Sequence, residues 1–279
     1  MKNPQDVVDF VDNFHEHYLP HLSIDCAVFA YHEQLLKVLL VRYSGHDNWS
    51  LPGGFIRRNE ALTRAAYRIL AERTNITELY LRQFYTFGDS ATRLNRIEIQ
   101  NNHNKAYAKA HVALTEDHWL AKRTLSVGYY ALVEYEHVRI TPDYLVEEYR
   151  WCDVGAIPQL QYDHNEIAAK ALAVLRSQVY QQPIARQLLP ARFTFPEIQA
   201  LYEALLGQSF DRRNFRKRLL SLGLLNQLAE QRKIGPHRSP YLYEFVVASA
   251  EKEVAPTRAA GPASPGAHPT LTLTLTPIP

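Results

Sequence analysis

Stretches of apolar residues in the first half of the chain predict a set of β-strands. Residues 23–31 and 36–43 are rich in Val, Ala, Phe and Leu and are separated by a short polar turn, which is typical of a hairpin. Residues 79–87 and 127–135 predict two further strands. An acidic, amphipathic stretch at residues 4–18 predicts a short helix before the first strand.

Helical spacing predicts two helices in the same part of the chain. A Pro-Gly-Gly turn at residues 52–54 breaks the strand pattern before a helix at residues 60–73. Asp163 and Glu166 have the spacing of a capping box and precede apolar residues at helical spacing, so a helix is expected to begin there. That helix would close the first domain.

A long polar segment interrupts the pattern of strands. Residues 93–123 are rich in His and Asn and poorly periodic, so we expect an insertion outside the core, with a short capped helix at residues 115–123. His103, His111 and His118 are tempting metal ligands. Their intervals of 8 and 7 residues match no compact histidine motif, however, and a loop is the better interpretation.

The C-terminal part begins with two predicted helices. Thr194 and Glu197 have the spacing of another capping box, and Gly207 is expected to end the helix that follows them. Asp211 can cap a second helix over residues 212–222. The sequence therefore predicts two amphipathic helices separated by a short turn.

Two strand-like runs come next, at residues 224–230 and 241–247. A basic segment at residues 232–240 separates them and would form the tip of a hairpin. Helix, turn, helix and a hairpin with a basic tip form the outline of a winged helix-turn-helix domain.

The second of these helices has one apolar face and one basic face. At ~100° per residue, Leu219 and Leu222 lie within ~40° of Phe215 and form a buried stripe. Arg213 and Lys217 lie almost opposite, at ~160°, with Arg216 and Asn214 on the flanks. Cations and an amide suit the phosphates and base edges of duplex DNA, although a solvated basic face without a partner has the same pattern. The predicted DNA-binding residues are Arg212, Arg213, Asn214, Arg216, Lys217, Arg232, Lys233 and Arg238.

Charge and composition narrow the kind of protein. Residues 1–180 carry 19 Lys and Arg against 22 Asp and Glu, whereas residues 181–247 carry 10 against 5, so only the C-terminal part is expected to bind a polyanion. Cys26 and Cys152 are too few for a disulfide framework. Without a signal peptide or a long apolar run, a cytoplasmic location is predicted.

Four segments resemble the Nudix-related transcriptional regulators of bacteria, in which a Nudix-like sensor precedes a C-terminal winged helix. They are residues 49–56 (Trp-Ser-Leu-Pro-Gly-Gly-Phe-Ile), 159–164, 188–207 and 211–219, and the last is similar to the recognition helix of that family. The resemblance extends over residues from about 25 to 245. It implies an α+β fold with a Nudix-type mixed β-sheet sandwich and flanking helices, plus a small C-terminal winged helix-turn-helix domain.

Taken together, the patterns and the resemblance predict four regions. These are an effector-sensing domain at residues 1–180 with an insertion at about 93–123, a linker at 181–192, a winged helix-turn-helix domain at 193–247, and a disordered tail at 248–279.

The resemblance also implies that the enzymatic site is degraded. A working Nudix box has carboxylates at three positions that here hold Ile69, Glu72 and Arg73. Because these positions share one helix face and Mg²⁺ requires several oxygen ligands, we expect no metal site, no cofactor and no catalytic residue. Arginines would instead hold effector phosphates, although Arg68 and Glu72 can also simply pair on the helix surface. The predicted effector-binding residues are Arg57, Arg58, Arg68 and Glu72.

The family resemblance implies a homodimeric repressor of double-stranded operator DNA whose sensor domain binds a pentose sugar or an ADP-ribose-like nucleotide. One alternative is an active Nudix hydrolase of ADP-ribose or related nucleoside diphosphate derivatives, in which Glu98 or Glu60 joins Glu72 as a Mg²⁺ ligand. Another is a metabolite-binding protein whose basic helix binds an acidic protein partner.

Overall fold

The computed structural model describes residues 1–75, 79–138, 140, 143–180, 183–233 and 239–246. Its first elements are two short helices, α1 (Pro4–Asp12) and α2 (Phe14–His17), where the sequence predicts a helix. Across the described ranges, no helix combines the length and the apolar character that crossing a membrane would need.

A mixed β-sheet forms the centre of the larger, N-terminal part of the molecule. Its strands are β1 (Tyr18–His32), β2 (Leu35–Tyr43), β3 (Gly53–Arg57), β4 (Tyr80–Phe87), β5 (Leu125–Val133) and β6 (Val146–Asp153). The strand order is β4-β5-β1-β2-β6, with β3 also paired to β1. Strands β1 and β5 are parallel and the other pairs antiparallel. The strands predicted from the sequence are confirmed.

The hairpin between β1 and β2 turns on two polar residues. His32 lies opposite Leu35, which leaves Glu33 and Gln34 as a two-residue turn. Both have positive φ values, of 51° and 61°, as a type I′ turn requires. Such a turn matches the twist of the two strands, and the predicted hairpin is confirmed.

Helices cover both faces of the sheet. Helix α3 (Leu62–Thr74) packs on one face, where it meets Cys26 and Val28 of β1. Ala27 and Phe29 point to the other face and join the core formed with helix α6 (His164–Gln178). This alternation follows from the two-residue period of a strand, and the expected mixed sheet with flanking helices is confirmed.

Helix α6 begins where the sequence predicts, but the expected capping box is absent. The Asp163 side chain accepts no hydrogen bond from the first turn of the helix. It is bound instead by Nε of Arg93 and by Oγ of Ser90. The predicted cap was wrong because a distant arginine takes the carboxylate.

The polar segment at residues 93–123 contains regular structure. Helix α4 (Ala91–Leu94) leads into helix α5 (Arg96–Tyr107), and the Asn95 side chain caps α5. Helix α5 shows little contrast between its faces, since Asn, Gln and His occur around it. Periodicity in the sequence therefore gave no sign of it.

This segment also contributes to the core, so the expectation that it lies outside the core was wrong. Tyr107, Leu114 and Leu120 are buried in an apolar cluster with residues of α1. The short helix predicted at residues 115–123 is a single 3-10 turn, Trp119–Ala121.

The C-terminal part contains two helices and a small sheet. Its elements are β7 (Phe193–Thr194), α7 (Phe195–Leu206), α8 (Arg212–Ser221), β8 (Leu225–Gln231) and β9 (Tyr241–Phe245). The strand order is β7-β9-β8, and β7 was not predicted. Helix, turn, helix and hairpin have the winged-helix arrangement that the sequence predicts.

Local signals fix the ends of these helices as predicted. The Thr194 amide donates to Oε2 of Glu197 at 2.6 Å, and Gly207 ends α7 with a φ of 68°. Oδ1 of Asp211 accepts from the first turn of α8 at 2.9 Å. Leu222 is an exception: it is 41% exposed rather than buried, because α8 ends one residue before it.

The connection between the two parts is packed. Pro183–Gln187 forms a 3-10 helix, and Ile184, Leu188 and Leu189 are buried. These residues join the sheet, α6 and α7 in one apolar cluster.

Candidate functional site

A cavity of about 160 Å³ lies between the sheet and helix α5. Strand β3 forms one wall with Gly53, Gly54 and Phe55. A side chain at position 53 would collide with Oδ1 of Asp25, so glycine is what allows the strand to pass so close to that carboxylate. The turn predicted at residues 52–54 was wrong, because Gly53 and Gly54 begin strand β3, where the absence of side chains leaves room for the cavity.

A buried ion-pair network forms the floor of the cavity. Nε of Arg93 binds Oδ2 of Asp163 at 2.5 Å, and Nη2 of Arg93 is 3.3 Å from Oδ2 of Asp25. The Ser126 hydroxyl donates to the same oxygen of Asp25. Burial alone would lower the pKa of Arg93, but Asp25 and Asp163 outweigh it and the pKa is raised. The guanidinium is thus fixed as a cation between two carboxylates.

Neutral histidines surround this network. Nδ1 of His164 accepts from the Leu51 amide at 2.9 Å, so the ring proton is on Nε2, which lies 3.6 Å from Oδ1 of Asp25. His46 is held between the Gln161 side chain and the Asn102 carbonyl. Burial lowers the pKa of both His46 and His164, so both rings are uncharged near neutral pH.

Arg73 brings a second cation to the cavity, and this cation is also matched. Its Nη1 donates to Oδ2 of Asp143 at 2.9 Å, and the amino group of Met1 lies 3.1 Å from the same oxygen. Burial would raise the pKa of Asp143, but the charge of Arg73, the Val146 amide and the amino group of Met1 together outweigh it, and the pKa is lowered. The chain therefore places Arg73 in the cavity wall at a position where, by the family resemblance, a working Nudix box has a carboxylate.

All four predicted effector-binding residues lie outside the cavity lining. Arg68 binds both oxygens of Glu60, at 2.8 and 2.7 Å, and reaches Oε2 of Glu72 at 3.0 Å. Arg57 binds the other oxygen of Glu72 at 3.2 Å, whereas Arg58 is separate and donates to a backbone carbonyl of α2. The structure thus brings two of the predicted residues, Arg57 and Arg68, to a third, Glu72, and their role with an effector stays a prediction.

The buried charged and polar residues that line the cavity were not predicted from the sequence. His164 lay within a segment that carries the family resemblance but was not singled out as a site residue, and Asp25 and Arg93 gave no local signal. Within the described ranges, no three His, Cys, Asp or Glu side chains come together as metal ligands.

Helix α8 presents the second candidate site. Arg212, Arg213 and Lys217 are exposed and form no ion pair with the residues that the structure describes. Asn214 is exposed on the same helix and Lys233 on the hairpin. Unpaired cations on an exposed helix suit contact with a polyanion.

Two predicted DNA-binding arginines are bound within the domain. Nη2 of Arg216 donates to the Tyr243 hydroxyl at 2.6 Å, and its guanidinium lies 5.1 Å from the centre of the Phe195 ring. Arg232 pairs with Glu197 at 2.6 Å. Arg238 lies outside the described residues, as does the predicted tail.

Comparisons with known proteins agree with both halves of this architecture. The Nudix domain model matches residues 19–175, and the model of the NrtR DNA-binding winged helix domain matches residues 185–245. An ADPR responsive transcriptional repressor, NtrR of Acinetobacter baylyi, is 26% identical over 235 residues, which are 82% of this chain and 83% of that protein.

Solved structures show the same fold. The crystal structure of Shewanella oneidensis NrtR has a TM-score of 0.59 and 28% identity, covering 81% of this chain and 94% of that one. Its complex with a 27mer DNA also has a TM-score of 0.59, with 27% identity over 81% of this chain and 93% of that one. The predicted resemblance is confirmed, and the chain belongs to the Nudix family, as a Nudix-related regulator with an NrtR-type winged helix domain.

Proposed function

We propose that this protein is a DNA-binding transcriptional repressor whose Nudix domain senses a small metabolite in the cavity. The observation that carries the proposal is the set of unpaired cations on α8. Arg212, Arg213 and Lys217 have no counter-charge among the described residues, so the phosphates of duplex DNA would supply one. The repressor and the DNA-bound structure among the relatives support this choice of polyanion.

The proposed organisation is a symmetric homodimer in the cytoplasm. Each chain would have a sensor domain at residues 1–180, a connection at 181–192 and a DNA-binding domain at 193–247. Two-fold symmetry would place the two α8 helices one DNA turn apart, at ~34 Å, on a palindromic operator. An effector that favours one spacing would then control DNA affinity.

The proposed effector is a pentose sugar or an ADP-ribose-like nucleotide. The relative from Acinetobacter baylyi is named as ADPR responsive, which supports the nucleotide. Phe55 lines the cavity and its carbonyl accepts from Arg68 at 2.8 Å, so the arginine cluster borders the cavity. Arg57, Arg58, Arg68 and Glu72 are proposed to contact only an effector that extends past Phe55.

The Nudix domain is proposed to bind without hydrolysis. Glu72, which the hydrolase alternative needs for Mg²⁺, and Glu60, one of its two candidate partners there, are each held by arginines at 2.7 to 3.2 Å. Ile69 puts a buried hydrocarbon at a position where the family has a carboxylate. A metal ion would have to displace a guanidinium and would gain too few oxygen ligands.

Selection from a random duplex library followed by fluorescence anisotropy tests the proposal. We expect binding with a sequence preference and a steep loss of affinity between about 50 and about 200 mM salt. ADP-ribose or arabinose should change that affinity. Binding without sequence preference would favour the acidic-partner alternative, and Mg²⁺-dependent turnover of ADP-ribose would favour the hydrolase.

A further inference from the structure

One face of helix α5 forms the roof of the cavity. Ile99, Asn102, His103 and Ala106 line it, and these residues have the spacing i, i+3, i+4 and i+7 of a single helix face. The segment that the sequence reading placed outside the core therefore turns one whole side towards the candidate effector.

Several polar groups on this roof and the adjoining walls have no hydrogen-bond partner among the described residues. Each of them can both donate and accept a hydrogen bond. They are the imidazole of His103, the side-chain amide of Asn102, and the hydroxyls of Tyr43, Tyr107 and Tyr162. Enclosed polar groups in proteins usually have a hydrogen-bond partner. This set is therefore suited to a ligand that supplies the missing hydrogen bonds.

All of these groups are uncharged near neutral pH. Burial lowers the pKa of His103 to about 4, and the nearby His46 and His118 act in the same direction. Burial also raises the pKa of the Tyr107 and Tyr162 hydroxyls. A neutral imidazole offers one donor and one acceptor instead of two donors.

The charged groups around the cavity are already matched. Arg93 is bound by Asp25 and Asp163, and Arg73 is bound by Asp143. An anionic ligand would therefore have to compete with buried carboxylates for these cations. Hydroxyl groups, in contrast, can bond to the unpartnered neutral groups without breaking an ion pair.

We propose that helix α5 supplies the specificity-determining residues of the cavity, and that His103 and Asn102, with the neighbouring tyrosine hydroxyls, bind the hydroxyl groups of an uncharged sugar ring. The inference rests on the proposed function, because it takes the cavity as the effector site. The ring is either a free pentose or the ribose of a nucleotide. The phosphates of a nucleotide would then lie outside this subsite.

Isothermal titration of the full chain with four probes tests the proposal: arabinose, ribose, ADP-ribose and inorganic pyrophosphate. His103→Phe keeps an aromatic ring but removes both hydrogen-bonding nitrogens. It should lower the affinity for whichever sugar-bearing probe binds the unsubstituted protein by about tenfold. His103→Gln should restore most of the affinity. His111→Gln is the matched control, because His111 is exposed on the same segment and does not line the cavity.

Asn102→Ala provides a second variant if His103→Phe does not fold. It removes the side-chain amide and leaves the backbone carbonyl that His46 uses. We expect a similar loss of affinity. Binding of a free pentose identifies a sugar effector, and binding of ADP-ribose alone identifies a nucleotide.

Three results would overturn the inference: unchanged affinity in both variants, pyrophosphate binding as tight as ADP-ribose, or binding of none of the probes. DNA binding is measured separately on the same preparations. Sequence-preferring DNA binding that survives any of these results would leave the proposed regulator intact and remove only the sugar subsite.

Discussion

Helices α3 and α8 both carry several arginines, yet the two sets of cations have different surroundings. In α3, Arg68 is bound by Glu60 and Glu72, and Arg73 is bound by Asp143. In α8, Arg213 and its basic neighbours meet no carboxylate among the described residues. The number of arginines therefore does not predict anion binding, because a paired guanidinium has little charge left to offer.

The same contrast separates the cavity from the DNA-binding face. Around the cavity, each buried cation is matched by a carboxylate, which stabilises the fold and leaves neutral groups for a ligand. On α8 the cations stay in water, where they cost little and are available to phosphates. We expect the paired cations to control stability and the unpaired cations to control DNA affinity.

The largest expected effect is on stability, from Arg93→Met. The substitution leaves the carboxylates of Asp25 and Asp163 buried without their cation, which should lower the free energy of unfolding by roughly 3–5 kcal/mol. Urea denaturation measures the change. Arg64→Met on the exposed side of α3 is the control and should stay within about 0.5 kcal/mol of the unsubstituted protein. A similar loss in both variants would contradict the comparison.

The next effect is on DNA affinity, from Arg213→Ala and Lys217→Ala. Each should weaken operator binding by about tenfold and lower the slope of log affinity against log salt by about 1. Because neither side chain has an ion pair among the described residues, stability should be unchanged. Arg57→Ala, which removes a cation already paired with Glu72, is the matched control. Equal losses in all three variants would show that total charge, not pairing, governs binding.

The winged helix could be predicted from the sequence almost element by element because its signals are local. The caps formed by Thr194 and Asp211 act within three residues of chain, and Gly207 ends its helix by its own conformation. The angular projection of α8 failed at Leu222 because it assumed that the helix continued. It also could not show that Tyr243, 27 residues later in the chain, would take the guanidinium of Arg216.

The cavity could not be predicted in the same way because its contacts are long-range. Arg93 binds Asp25 and Asp163, which are 68 and 70 residues away in the chain. The roof of the cavity, helix α5, is polar on most sides, so the sequence has no apolar stripe from which this helix could be predicted. The family resemblance pointed to Glu72 and Arg68, and their spacing allowed that they pair with each other, but it could not show that Arg68 also binds both oxygens of Glu60.

A smaller effect concerns the neutral interior of the cavity. Burial holds the pKa of His103 at about 4, whereas an unfolded histidine has a pKa near 6.5. Between these values the unfolded chain binds a proton that the folded chain excludes, so stability is lost as pH falls. From pH 7 to about 5.5, His103 should account for roughly 1 kcal/mol of the loss.

Urea denaturation of the unsubstituted protein and of His103→Phe at both pH values isolates this contribution. His46 and His164 also have lowered pKa values and act in both proteins, so only the difference between the two pH dependences reports on His103. Identical pH dependences would mean that His103 is solvated, and the contrast between a neutral cavity and a charged DNA face would lose its support.

The smallest expected effect is that of Glu72→Gln. Glu72 is half exposed and shares its partners: Arg68 stays bound to Glu60, and the side chain of Arg57 is 53% exposed and can be solvated. Exposed ion pairs of this kind contribute a few tenths of a kcal/mol, so the free energy of unfolding should change by less than about 0.5 kcal/mol.

The Glu72→Gln variant also decides whether the Nudix domain binds its effector without reaction or hydrolyses it. If Glu72 were a Mg²⁺ ligand, the unsubstituted protein would hydrolyse ADP-ribose and Glu72→Gln would abolish that activity. If the arginines have replaced the metal, as the pairing indicates, neither protein should show Mg²⁺-dependent turnover, and their DNA affinities should be equal.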